Sequence, residues 1–119
     1  VGGESEAACD QVARTIAHSP LVKTALFAAD PNWGRILAAI GRAGLEGLDT
    51  EAVSIEINDV LIAERGARAA SYTEAQGQEA MAADDLRVRV TLQRGAAETV
   101  LWTTDLSYDY VKINAEYRT

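Results

Sequence analysis

Apolar residues recur in the first third of the chain at helical spacing. Ala8, Val12 and Ile16 stand four residues apart with Cys9 and Ala13 beside them, which predicts an amphipathic helix from about Glu4 to His18. Glu4 and Glu6 fall in its first turn, where the helix dipole favours an anion. Ser19-Pro20 restarts the chain as N-cap and first helical residue, so a second helix is expected from Pro20 to about Ala28. Asp30-Pro31 repeats that signal. Trp33, Ile36, Leu37 and Ile40 then form an i, i+3, i+4, i+7 stripe for a third helix, with Arg42 near its end and Gly44 as C-cap.

At Val53 the period changes from 3.6 to 2. Val53, Ile55 and Ile57 alternate with Ser54, Glu56 and Asn58, the mark of a half-buried strand. Asn58-Asp59 suits a tight turn, and Val60 to Ala63 supplies a partner strand. Gly66 to Ser71 reads as loop, and Thr73 to Ala83 as a helix begun by a Thr cap. Leu86, Val88, Val90 and Leu92 alternate with polar residues in the clearest strand of the chain. A turn at Arg94 to Ala97 is expected to return it as a second hairpin over Glu98 to Leu106, with Val100, Trp102, Thr104 and Leu106 on one face. A short helix from Ser107 or Tyr108 to about Tyr117 completes the chain. These elements predict one α+β domain over residues 1–119: a small, mainly antiparallel sheet with helices packed on one side, a two-layer sandwich.

The bulk properties narrow the possible functions. With 119 residues, 48% of them hydrophobic, the chain can bury a core without metal or disulfide staples. Aromatic residues make up only 6%, so that core must come from Val, Ile, Leu and Ala. A formal charge of −7 repels a phosphate backbone, and Arg87 and Arg89 on one strand face do not amount to a basic patch, so no nucleic-acid partner is expected. No apolar run reaches the length of a membrane span, so no membrane partner is expected either. The single Cys9 cannot form an internal disulfide; it reads as a small buried hydrophobe, and a reducing, cytoplasmic setting fits. No signal peptide precedes the domain, and a first residue of Val rather than Met suggests a chain cut from a longer one.

The usual catalytic constellations are missing. His18 is the only histidine and suits a helix end; no metal site, Walker loop or GxGxxG motif is present, and no metal or cofactor is expected. Two segments stand apart. In Asp30-Pro31-Asn32-Trp33-Gly34-Arg35, a Gly in a first helical turn costs about 1 kcal/mol relative to Ala and suggests close approach of a backbone or ligand. Arg35 could pair with Asp30 or another carboxylate, and the segment could serve packing or substrate contact. In the tail, Tyr110, Asn114 and Tyr117 share a helix face. A buried Asn114 amide between two rings would need partners, either local backbone or the charged groups of an amino acid.

These segments carry a family likeness. Ser19 through Gly41, with Asp30-Pro31-Asn32-Trp33-Gly34-Arg35 at its centre, resembles the signature block of the ornithine acetyltransferase (glutamate N-acetyltransferase) family. Trp102 through Val111, followed by Asn114-Ala115-Glu116-Tyr117, resembles that family's C-terminus. The likeness runs from about residue 6 to Thr119, and the two blocks stand in the family's order and at about its spacing.

The resemblance implies an arginine-pathway acyltransferase that moves acetyl from N-acetylornithine to glutamate, with acetyl-CoA as a further donor in bifunctional members. It implies a precursor that cuts itself into α and β chains, the new N-terminal Thr of the β chain acting as nucleophile, activated by its own α-amine and assisted by an oxyanion hole in the α chain. It also implies cytoplasmic α/β pairs that assemble further. The nucleophile, the oxyanion hole and two substrate-binding residues of the family lie upstream of Val1, so no catalytic residue is carried onto this chain, and the chain alone is expected to be inactive. Carried over are the substrate-binding positions Asn114 and Thr119, the Asn five residues before the end and the terminal residue. The Asp30-to-Arg35 block is expected mainly to pack near the site. The competing expectation is a stand-alone amino-acid-binding or interaction module without chemistry.

Overall fold

A computed structural model of the chain describes residues 1–117. The helices at the start follow from their caps. Helix α1 (Glu6–Ala17) begins where the Ser5 hydroxyl accepts from the Ala8 N–H at 3.1 Å, a cap worth about 1 kcal/mol. It buries Ala8, Cys9, Val12, Ala13 and Ala17. Glu6 lies in its first turn as expected, but Glu4 precedes the cap and instead pairs with Arg94 at 3.0 Å. His18 is the exposed C-cap residue.

Helix α2 (Pro20–Phe27) starts at Ser19 with Pro at its first position, and the Ser19 side chain is almost fully buried. Its end explains a departure from the sequence reading. Ala29 adopts φ 55°, its N–H donates to the Leu26 carbonyl at 3.1 Å, and the Asp30 N–H reaches the Ala25 carbonyl at 2.9 Å. This is a Schellman closure. Asp30 is therefore part of the end of α2 and does not cap the third helix. Helix α3 (Trp33–Gly41) is capped by Asn32, whose Oδ1 accepts from the Arg35 N–H at 3.0 Å. Ile36, Ala39 and Ile40 are its buried face.

Among the described residues six strands form one sheet. In chain order they are β1 (Gly2–Gly3), β2 (Ser54–Ile57), β3 (Val60–Glu64), β4 (Ala67–Arg68), β5 (Val88–Thr91) and β6 (Ala97–Glu98), and the spatial order is β4-β3-β2-β5-β1-β6. Only β1 and β5 run parallel. The β2–β3 hairpin turns through Asn58 and Asp59, both at positive φ, the geometry that matches the strand twist. Asn58 also ties the turn down: its Oδ1 accepts from the Arg87 N–H at 2.8 Å and its Nδ2 donates to the Ala80 carbonyl at 2.9 Å. The register slips between Ile55 and Glu56, leaving consecutive Ile62 and Ala63 both buried across the bulge.

Three expectations are corrected. Ala67–Arg68 is a strand rather than loop, because Arg65 and Gly66, both at positive φ, close a second two-residue hairpin. The strand expected over Glu98 to Leu106 shortens to Ala97–Glu98. The clear strand β5 does not pair with it as a hairpin: β5 lies between β2 and β1, and β1 separates it from β6.

Helix α4 (Glu74–Met81) opens with a full capping box between Thr73 and Gln76. Helix α5 (Tyr108–Glu116) is the last element of the described residues, with Tyr117 as its C-cap. Ile55 and Ile57 face Val90 and Val88 across β2 and β5, and on the same side Val12, Val22, Ile36, Ile40, Ala80 and Met81 of the helices close the core. Full burial of each large aliphatic side chain contributes about 1.5–3 kcal/mol. The core is aliphatic, as the scarcity of aromatics requires, and Phe27 stays exposed. The other face of the sheet is polar, with Glu56 opposite Arg89 and Ser54 opposite Thr91. This is the α+β sandwich expected, with the second hairpin redrawn.

Candidate functional site: the tethered tail and its cleft

Beyond β6 the chain leaves the sheet and crosses the α1–α2 junction. The Thr103 hydroxyl accepts from Lys23 Nζ at 3.4 Å and donates to the Ala17 carbonyl at 3.5 Å. The Leu106 N–H donates to the Lys23 carbonyl at 3.2 Å. Ser107 then caps α5, its hydroxyl accepting from the Tyr110 N–H at 2.9 Å. Helix α5 is thus anchored at its root, while no residue along its length is buried. Tyr108, Tyr110, Ile113 and Tyr117 are all more than half exposed.

Asn114 projects from this helix into solvent; it is not the buried amide that the flanking tyrosines suggested. Its Nδ2 donates to the Tyr110 carbonyl at 2.9 Å, one turn back. That local bond meets part of its hydrogen-bonding need without a folded core around it, so the amide carries no burial penalty here. Thr119 lies outside the described residues.

At the root of α5 is an open cleft of ≈ 470 Å³. Lys23 and Asp105 line it with opposite charges, and Thr104, Ser107 and Tyr110 add hydroxyls. A cation and a carboxylate with hydroxyls between them are the groups that receive the carboxylate and ammonium of a free amino acid. Lys23 and Asp105 stand inside the two blocks that carry the resemblance, but neither has a signal of its own in the sequence. Nothing in their spacing announces that α2 and the 103–107 segment meet.

The Asp30-to-Arg35 block is occupied with structure. Asp30 Oδ2 accepts from Asn32 Nδ2 at 3.0 Å, and Arg35 Nη1 donates to the Leu21 carbonyl at 2.9 Å, locking α3 to α2. Arg35 forms no ion pair with a carboxylate among the described residues. Trp33 packs on the core. Gly34 is exposed, and among the described residues a Cβ there would meet only Asn32 Oδ1 at 3.5 Å, with no backbone from outside its own helix close to it.

Among the described residues no group of three or more His, Cys, Asp or Glu side chains could hold a metal, and no helix is long and apolar enough to cross a membrane. Cys9 is fully buried and its thiol titrates above the ordinary thiol value, chiefly because burial disfavours the thiolate. It is a core residue rather than a nucleophile.

Comparison with known proteins places the chain in a family. Over 118 residues the chain is 58% identical to the arginine biosynthesis bifunctional protein ArgJ of Pseudomonas fluorescens, and 54% identical to that of Pseudomonas syringae pv. tomato. Each match covers 99% of this chain but only 29% of the relative, so the chain spans less than a third of these proteins. The crystal structure of arginine biosynthesis bifunctional protein argJ from Bacillus halodurans superimposes with a TM-score of 0.89 at 36% identity, covering 98% of this chain and 55% of that one. The family model for ArgJ matches residues 1–119 throughout, and the chain belongs to the ArgJ family.

Proposed function

We propose that this chain is the C-terminal domain of an ornithine acetyltransferase, the part that delivers Asn114 and Thr119 to the substrate. The observation that carries the reading is α5: in a chain of the ArgJ family, a capped and anchored helix buries none of its residues and presents an amide near its free end. A side-chain amide both donates and accepts, so Asn114 can meet the carboxylate and the ammonium of ornithine or glutamate.

The reaction proposed for the whole protein proceeds in two halves. The hydroxyl of an N-terminal Thr, upstream of this chain, attacks the acetyl carbonyl of N-acetylornithine; ornithine leaves with the proton and Thr is left as its acetyl ester. The amine of glutamate then attacks that ester, giving N-acetylglutamate and free Thr. Acetyl-CoA can replace N-acetylornithine as donor in a bifunctional member. The partners of the chain are then the α chain and the remainder of the β chain of the same precursor, joined as α/β pairs in a cytoplasmic oligomer. The domain's part in this chemistry is to bind and orient, and by itself it transfers no acetyl group.

The test is Asn114→Ala in the full-length enzyme. Loss of one hydrogen bond to a charged group removes about 1.5–3 kcal/mol, so kcat/KM for ornithine or glutamate should fall roughly 10- to 150-fold. Because Asn114 is exposed and, among the described residues, bonded only to its own helix, the melting temperature should move little. A residue appended after Thr119 should impair the same substrates. Unchanged kcat/KM in both variants would remove the substrate role of the tail.

A further inference from the structure

The β1–β6 ladder reaches the first residue of the chain while β6 still has extended backbone to offer. Gly3 faces Ala97 and Gly2 faces Glu98. One step further, Val1 and Thr99 exchange both of their main-chain bonds: Val1 N donates to the Thr99 carbonyl and the Thr99 N–H to the Val1 carbonyl, each at 2.8 Å. Residues 100–105 continue without helix or strand pairing, and among the described residues none of their N–H groups meets a backbone acceptor. Over residues 100–102 the side chains keep the strand alternation, with Leu101 half-buried between Val100, 72% exposed, and Trp102, 88% exposed, whereas residues 103–105 are all exposed. The ArgJ proteins it matches contain more than three times its length.

We propose that, in the whole protein, the segment leading into Val1 extends β1 backwards and pairs antiparallel with residues 100–102. The register is set by the pairs already present. The residue before Val1 faces Val100, the second faces Leu101 in a hydrogen-bonded pair, and the third faces Trp102 in a non-hydrogen-bonded pair. The occupant is thus the same polypeptide, and what recognises it is main-chain hydrogen bonding along an exposed edge. The strand expected over Glu98 to Leu106 is then completed in its first half. The inference rests on the proposed reading that the rest of the protein precedes Val1, and not on the substrate role of Asn114.

Two measurements on the full-length protein test it. In natural sequence, the Leu101 amide should exchange with deuterium about 100-fold or more slowly than an unstructured amide. Second, Trp102→Cys should form a disulfide with a cysteine placed at the third residue before Val1, where facing Cβ atoms stand within bonding range, and not with one at the fourth, whose side chain leaves by the opposite face. Trp102 is exposed, so its replacement leaves the core intact, and Cys9 is buried and does not compete. Faster exchange at Leu101 overturns the proposal. So does slow exchange without the disulfide at the third position, because some other segment then covers the edge.

Discussion

Gly95 gives the sharpest test of how the sheet is assembled. It sits at φ +74° in the turn between β5 and β6, and a Cβ added there would stand 2.7 Å from Glu4 Cα and 3.1 Å from the Gly3 carbonyl oxygen. Both are backbone atoms, so no side chain can swing aside. The left-handed conformation alone costs a non-glycine residue about 1–2 kcal/mol, and forcing backbones apart adds about 1–3 kcal/mol. Gly95→Ala should therefore destabilise the chain by roughly 3 kcal/mol, which for a domain of this size lowers Tm by roughly 10–15 °C. Gly47 supplies the control. It has φ +68° but nothing within 4 Å of its added Cβ, so Gly47→Ala should show only the conformational part, about 1 kcal/mol. Urea unfolding of the two variants beside the parent, with m-values compared, measures the difference. Equal losses at Gly95 and Gly47 would refute the argument, because they would mean that β1 and the residues after it do not lie against the 94–97 turn.

Two further outcomes follow from local geometry. Ala29 holds a left-handed position at the end of α2, so Ala29→Gly should stabilise the chain by up to about 1 kcal/mol, read as a higher denaturation midpoint. Burial raises the Cys9 thiol above its ordinary value, so the folded state holds that proton more tightly than the unfolded one; stability is then full below the ordinary thiol range and falls as pH rises through it. Cys9→Ala should flatten that alkaline decline in pH-dependent unfolding, and an unchanged slope would assign the decline to other groups.

The elements that were legible in the sequence are those whose causes are local. Ser19-Pro20 starts α2, Thr73 with Gln76 starts α4, and Asn58-Asp59 turns the first hairpin, because cap and turn chemistry act over two to four residues. Asp30 departs from expectation for a related reason: its residue type suits an N-cap, but the Schellman closure of the preceding helix engages its N–H. The strand β1 had no signal at all, since Gly2-Gly3 shows neither alternation nor branched side chains. Gly3 suits its place only because a Cβ would crowd Cys9 Sγ and Leu92 Cδ1, each at 3.1 Å, a constraint from residues distant along the chain. At the candidate site, Thr119 is reached only through the family likeness, whereas the tail's helical period already marks Asn114 as an amide in need of partners. Periodicity placed Asn114 on a face with Tyr110 and Tyr117 but could not say that the face is open. Lys23 and Asp105 required the fold itself, because their meeting depends on Thr103 and Leu106 fastening the tail across α2.

The position of β1 also governs how force would travel through this domain. β6 has a single strand neighbour, and that neighbour is a two-residue strand at the other end of the chain. A pull on the tail is carried first by the Leu106–Lys23 clip and then by the ladder ending at Val1 and Thr99. If residues 1–3 came away, β6 and everything after it would lose their seat in the sheet together, while β2, β3, β4 and β5 could keep their mutual pairing. The order of rupture is therefore written from the edge inward, with the helix that carries Asn114 among the first parts released.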